Sequence, residues 1–224
     1  MSKQELVAAV DAARSRLDEV RRRAWQQGYG AAIFAELDVA QDALADAERA
    51  LARWHGDEVA APYPWEVRWN RGAPMPHVVS SGRRTFLLYL ADERDPAWDG
   101  TTARVVSPEA LRSEPLALVE LVGCYGHRFG GPSDEVFEGH PLARAGFVGQ
   151  GAYVIERSRW LRTEQQTNSV HAGYDPARWE RRQHVMLAFH DDVFECICEG
   201  FRVERVRGTF QQMLARMVER VVAG

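Results

Sequence analysis

The chain has 224 residues, 46% of them hydrophobic and 27% charged, with a formal net charge of −4. That length supports a buried core without disulfide staples, and the composition excludes disorder along the whole chain. The acidic balance disfavours a duplex-binding protein, which is ordinarily basic, and no apolar run approaches the roughly 20 residues of a membrane-spanning helix.

Ser2 and Glu5 form a capping box, the signature of a helix start. Leu6, Val10, Ala13, Leu17, Val20 and Ala24 then recur at spacings of four and three, and after Gly28-Tyr29-Gly30 the pattern restarts with Ile33, Leu37, Ala40, Leu44, Ala47, Leu51 and Trp54. Such seams predict an antiparallel helical hairpin over 2–55. Its narrow apolar stripes leave each helix in need of a partner, either the rest of the chain or a second copy, so residues 2–55 are a candidate homodimer surface. Arg21-Arg22-Arg23 is read as cations near a helix C-terminus rather than as a phosphate patch.

A linker is expected from Gly56 to Pro64, dividing a hairpin domain at 1–56 from a second domain at 65–224. All ten prolines lie between Pro62 and Pro176, and from Trp65 the pattern becomes that of strands. Short strands are predicted at Glu66–Trp69, Met75–Ser80, Arg84–Ala91, Thr101–Val106, Leu116–Val122 and Ala152–Glu156, with Ser81-Gly82 as a hairpin turn. The stretch 123–151 holds eight of the 18 glycines and is read as loop. Helices are expected at Arg159–Val170 and from Asp175-Pro176 to about Arg182, and Thr209 and Gln212 open a last amphipathic helix facing Phe210, Leu214, Met217 and Val221 inward. The class is α+β: a mostly antiparallel sheet with packed helices, preceded by the helical hairpin.

The run His184–Glu199 predicts a β-hairpin. A two-residue turn at Asp191-Asp192 puts Val185, Leu187, Phe189, Phe194, Cys196 and Cys198 on one apolar face. Cys196 and Cys198 then belong to the core rather than to a metal or redox pair. The three cysteines and the absence of a secretory leader predict reduced thiols and a cytoplasmic protein. The other face carries His184 opposite Glu199, with Glu195 diagonal to His190, and carboxylate–imidazole pairing there would raise histidine basicity.

Five of the seven histidines fall between His127 and His190. His127, Asp134, Glu135 and His140 form a local cluster of the kind that binds a divalent metal or performs acid–base work, though their spacing matches no standard zinc signature. The glycines around His127 and Arg128 form neither a P-loop nor G-x-G-x-x-G. Gly139-His140-Pro141-Leu142, with the run His190-Asp191-Asp192-Val193-Phe194-Glu195-Cys196, resembles uncharacterised bacterial proteins over about residues 65–200. The resemblance implies a bacterial origin and transfers no activity, cofactor or role.

Two main readings follow. In the first the protein binds a small molecule or a protein segment. His127, Arg128, Asn168, His184, Glu195 and Glu199 are its candidate ligand-binding residues. Trp65, Trp69, Trp98, Trp160 and Trp179 are either pocket walls or core. In the second it is a hydrolase or lyase. His140 serves as general base or metal ligand, Asp134 or Glu135 as its partner, and His171 and His190 complete the site. Neither reading specifies a cofactor or a metal. An RNA-binding module, resting on arginine and aromatic content, is opposed by the net charge.

Overall fold

The computed structural model describes residues 1–28, 30–82, 84–93 and 105–223. Helices α1 (Lys3–Gln27) and α2 (Ala31–His55) form the expected hairpin, and the Ser2–Glu5 capping box is made in both directions. α1 buries Leu6, Val10, Leu17, Val20 and Ala24, as the seam requires. α2 departs from its seam. Its buried positions are Ala40, Ala45, Glu48, Arg49 and Ala52, while Trp54 is exposed. The reason is that α2 serves two neighbours, α1 on one side and the β-rich body on the other.

The segment expected as a linker contains a strand, β1 (Val59–Pro62). It is followed by β2 (His77–Ser80), β3 (Thr85–Leu90) and β4 (Glu114–Val122). Inside the glycine-rich stretch lie β5 (Gly126–Gly130) and a 3-10 helix at Asp134–Gly139, neither foreseen. Next come β6 (Gly151–Glu156), α3 (Arg159–Asn168), α4 (Pro176–Glu180), β7 (Gln183–Ala188), β8 (Val193–Cys198), the unforeseen β9 (Gly200–Gly208) and α5 (Phe210–Val222). The expected strand at Glu66–Trp69 reduces to a single bridge between Trp69 and Ala91. Most of Thr101–Val106, with Trp98 and Tyr29, lies outside the described residues.

Two antiparallel sheets result, ordered β1-β6-β7-β8-β5 and β2-β3-β4-β9. They pack face to face. Leu87, Tyr89, Ala117, Val119 and Leu121 of the second sheet meet Val185, Leu187, Phe189, Phe194, Cys196 and Cys198 of the first. α5 covers the outer face of the second sheet, setting Phe210 and Met217 on Phe86, Leu88, Leu90, Leu116 and Leu118. This explains the unbroken run from Phe86 to Leu90: both faces of β3 are buried. The outer face of the first sheet presents Met186, Ala188 and Val193 to Phe137, Leu142, Phe147 and, from α2, Ala52.

The hairpin is rooted there as well. Arg49 Nη1 donates to the Gly146 carbonyl at 3.0 Å. Gly146 has φ +93°, and a Cβ on it would lie 2.8 Å from the Ala60 carbonyl oxygen, so glycine is required by both conformation and space.

The β7–β8 pairing corrects the expected register by two residues. Ala188 faces Val193, Val185 faces Cys196 and His184 faces Ile197. The Phe189 N–H donates to the Asp192 carbonyl at 2.8 Å, so the turn is His190-Asp191 rather than Asp191-Asp192. A two-residue shift preserves the side-chain parity of a strand, which is why the apolar face is the one expected although each pairing differs.

Candidate functional site

The register places His184 diagonal to Glu195, and the two are bonded, Nε2 to Oε2 at 2.8 Å. The other ring nitrogen, Nδ1, lies 2.8 Å from Ser158 Oγ. Ser158 is the N-cap of α3, and its Oγ accepts the Leu161 N–H at 3.0 Å. Its hydroxyl hydrogen remains to donate to Nδ1, leaving Nε2–H for the carboxylate. Trp160 packs edge-on to the imidazole at 5.1 Å, and Arg128 lies over the Trp160 ring at 4.1 Å. Arg128 is also the register partner of Glu195 on β5.

The resulting Ser–His–Glu chain has the composition of a catalytic triad but not its accessibility. Ser158 is 3% exposed and His184 5%, and both imidazole nitrogens are occupied. A nucleophilic serine must reach a substrate carbonyl, whereas Ser158 Oγ holds a helix start. Burial works against ionisation of Glu195. The His184 hydrogen bond, with the charges of His184, Arg128 and His140, outweighs it and holds the carboxyl below the usual range.

His140 stands beside this group. Its Nδ1 accepts the Leu142 N–H at 3.2 Å and its ring packs on Phe147. Burial lowers its pKa, opposed by the charge of Glu195. His190 and Asp134 meet elsewhere, at the hairpin turn. His190 Nδ1 lies 2.9 Å from Asp191 Oδ1 and 3.8 Å from Asp134 Oδ1. The Asp191 hydrogen bond, with the charges of Asp134, Asp191 and Glu135, raises the His190 pKa. His184 near the start of β7 and His190 in the turn beyond its end are thus separated by the length of the strand.

The remaining candidates are dispersed. His127 points to the opposite face of β5 from Arg128 and stacks on Phe194, its pKa lowered by burial. Asn168 donates to the Tyr125 hydroxyl at 2.7 Å. Glu199 is held by Arg178 at 3.1 Å and Arg181 at 3.6 Å. His171 accepts the Gly173 N–H in the loop after α3. Among the described residues no group of three or more His, Cys, Asp or Glu side chains is arranged to hold a metal ion. The thiols offer no activated nucleophile either, because burial raises both Cys124 and Cys196.

Open space lies on another side. The segment 63–71 passes between the sheets: Tyr63 donates its N–H to the Ala152 carbonyl, while Asn70 donates to Leu90 and Arg68 accepts from Asp92. Along it Trp65, Val67 and Trp69 point inward, and Glu66 and Arg68 are exposed. Trp65 Nε1 donates to the Tyr89 hydroxyl at 2.8 Å, which in turn donates to the Val67 carbonyl at 2.5 Å. These bonds fix one wall of a cleft of about 710 Å³. Tyr63, Trp65, Trp69, Arg68, Arg71 and Gln150 are among its lining residues. That volume falls within the roughly 300–1,000 Å³ of ligand sites. Among the described residues, neither Arg68 nor Arg71 makes an ion pair. Gln150 donates its amide to Asp134 Oδ2 at 2.9 Å, while its buried Oε1 has no hydrogen-bond partner there.

Trp65 and Trp69 are pocket-wall candidates in the sequence; Tyr63, Arg68, Arg71 and Gln150 are not. The available signal was the alternation at 65–69, apolar inward and charged outward. Comparison with known proteins gave no match to a family model, a curated protein or a solved structure, so this geometry stands on its own.

Proposed function

We propose that this is a ligand-binding protein whose binding site is the cleft beneath segment 63–71, with the helical hairpin as a docking element. One observation carries the reading: this cleft joins aromatic walls to guanidinium groups that make no ion pair among the described residues. Affinity in such a site comes from apolar contact, and orientation from a few polar groups not already committed. At His184 the polar groups are committed to one another. The test is ligand-observed NMR with a fragment set of aromatic acids and amides. Fragments should bind the protein and lose affinity with Trp65→Leu and with Arg71→Gln. Binding that both variants leave unchanged, or no binding at all, overturns the reading.

The hairpin reading rests on large apolar side chains turned outward: Trp25 is 82% exposed on α1 and Val39 70% on α2. A second copy of the chain is the proposed partner. Light scattering should give a dimer mass that falls to the monomer in the Trp25→Ser, Val39→Ser double variant, and a wild-type monomer removes the proposal. A reducing, cytoplasmic setting is proposed from the three free thiols, of which Cys196 donates to Cys198 Sγ at 3.8 Å. No helix among the described residues is long and apolar enough to cross a membrane.

A further inference from the structure

A second, smaller cavity of about 250 Å³ adjoins the cleft and shares Arg68 and Asp92 with it. It crosses the ends of β3, β4 and β9, where it is lined by Ala91, Pro115, Leu116 and Arg205 to Arg207. The two together form an elongated groove that begins at Tyr63 and Trp65 and ends at Arg207.

The charges along this groove are of both signs. Arg207 is paired with Glu93. Among the described residues Arg205 makes no ion pair and donates to the neutral Glu66 carbonyl at 3.4 Å. Arg68, Arg71, Glu66 and Asp92 make no ion pair among the described residues. A purely anionic ligand would meet the carboxylates of Glu66 and Asp92. A neutral one would leave the guanidiniums unused. A single compact molecule would fill the cleft and not its extension. An extended peptide satisfies all three conditions, because it is long, carries both charge signs and can set a side chain in the cleft while its neighbours run on into the extension.

Building on the proposed binding role of the cleft, we infer that the groove takes an extended peptide segment. Its apolar anchor sits against Trp65, and an acidic group next along the chain meets Arg68 and Arg205. The aromatic wall is rigid, since Trp65 donates to the Tyr89 hydroxyl and Tyr89 in turn to the Val67 carbonyl, so the anchor enters a preformed surface at little ordering cost.

The test pans the full chain against a phage-displayed random dodecapeptide library and measures the selected peptide, synthesised with a fluorescent label, by anisotropy. Enriched sequences should share an aromatic or aliphatic residue close to Asp or Glu. Affinity should fall about tenfold in Arg68→Gln and again in Arg205→Gln, and should weaken with salt. Phe129→Ser, on the far edge of the other sheet, should leave it unchanged. No enrichment, or binding indifferent to Arg68 and Arg205, overturns the peptide assignment. If aromatic fragments still bind in a Trp65-dependent way, the cleft remains a ligand site for something other than a peptide. If they do not, both conclusions fall together.

Discussion

The two polar regions of this molecule are built from similar residue types and are opposite in character. Around His184 the imidazole is engaged at both nitrogens, by Ser158 and by Glu195, while Arg128 lies over the Trp160 ring. Around Arg68 the polar groups are exposed, and Arg71, Glu66 and Asp92 line open space. The first region holds a helix start to a sheet. The second offers contacts to something else. What separates structural from ligand-directed polarity here is whether the groups are already satisfied and whether there is room beside them.

That contrast is broken or sharpened by substitution, and the largest effect is expected at His184. Removing its ring leaves Glu195, whose side chain is 21% exposed, and Ser158 without their partner. Loss of a part-buried charged hydrogen bond predicts a stability decrease of about 3 kcal/mol for His184→Ala, read from urea denaturation. A loss below about 0.5 kcal/mol would mean that the group is not structural.

A smaller effect, with a definite pH direction, is expected at Glu195. Its carboxyl is held below the usual range, so its contribution to stability is present above the ordinary carboxylate pKa and disappears as pH falls through the depressed value. Glu195→Gln should therefore be clearly less stable than the wild type near neutrality, with the gap closing as the pH falls below the ordinary carboxylate range. A gap that stays constant with pH would assign the loss to packing rather than to charge. The smallest effects belong to the open side and the turn. Arg68→Gln and His190→Gln should each alter stability by no more than about 0.5 kcal/mol. A large loss in Arg68→Gln would place that side chain in the scaffold and erase the contrast.

Much of the architecture was legible because it is local. Capping boxes at Ser2 and Thr209, the Asp175-Pro176 start and the seams of α1 each lie within a few residues of one another, and each is found where expected. β5 was hidden because Gly126–Gly130 is short, half glycine-like in pattern and exposed at an edge, with nothing to mark it but its pairing to β8. β9 was hidden for a different reason. Its exposed arginines fall on both faces, Arg202 on one and Arg205 and Arg207 on the other, and the adjacent Glu204 and Arg205 break the alternation.

Within the candidate site, the sequence showed that His184 and Glu195 share a face. It did not show that they pair, because a two-residue register shift is invisible to face parity. Nor does a list of histidines reveal which nitrogens are occupied. The cleft was less legible still, since its walls come from residues 63–71, 92 and 150–152, and only a fold brings those together.

The order of the strands has a consequence for synthesis. β1 pairs only with β6, Val59 against Glu156, and β4 waits for β9, Glu114 against Gly208. At about 5–20 residues per second, β1 emerges from a ribosome roughly 5–20 s before its partner exists. The helical hairpin closes early, because its contacts are sequential. Strand β3 can pair with β2 and β4 soon after but has no α5 to cover its outer face until residues 210–222 are made. Between the synthesis of β4 and that of α5 the chain is therefore a finished hairpin carrying an uncovered sheet, and truncated products ending before β9 should aggregate rather than persist as smaller folded units.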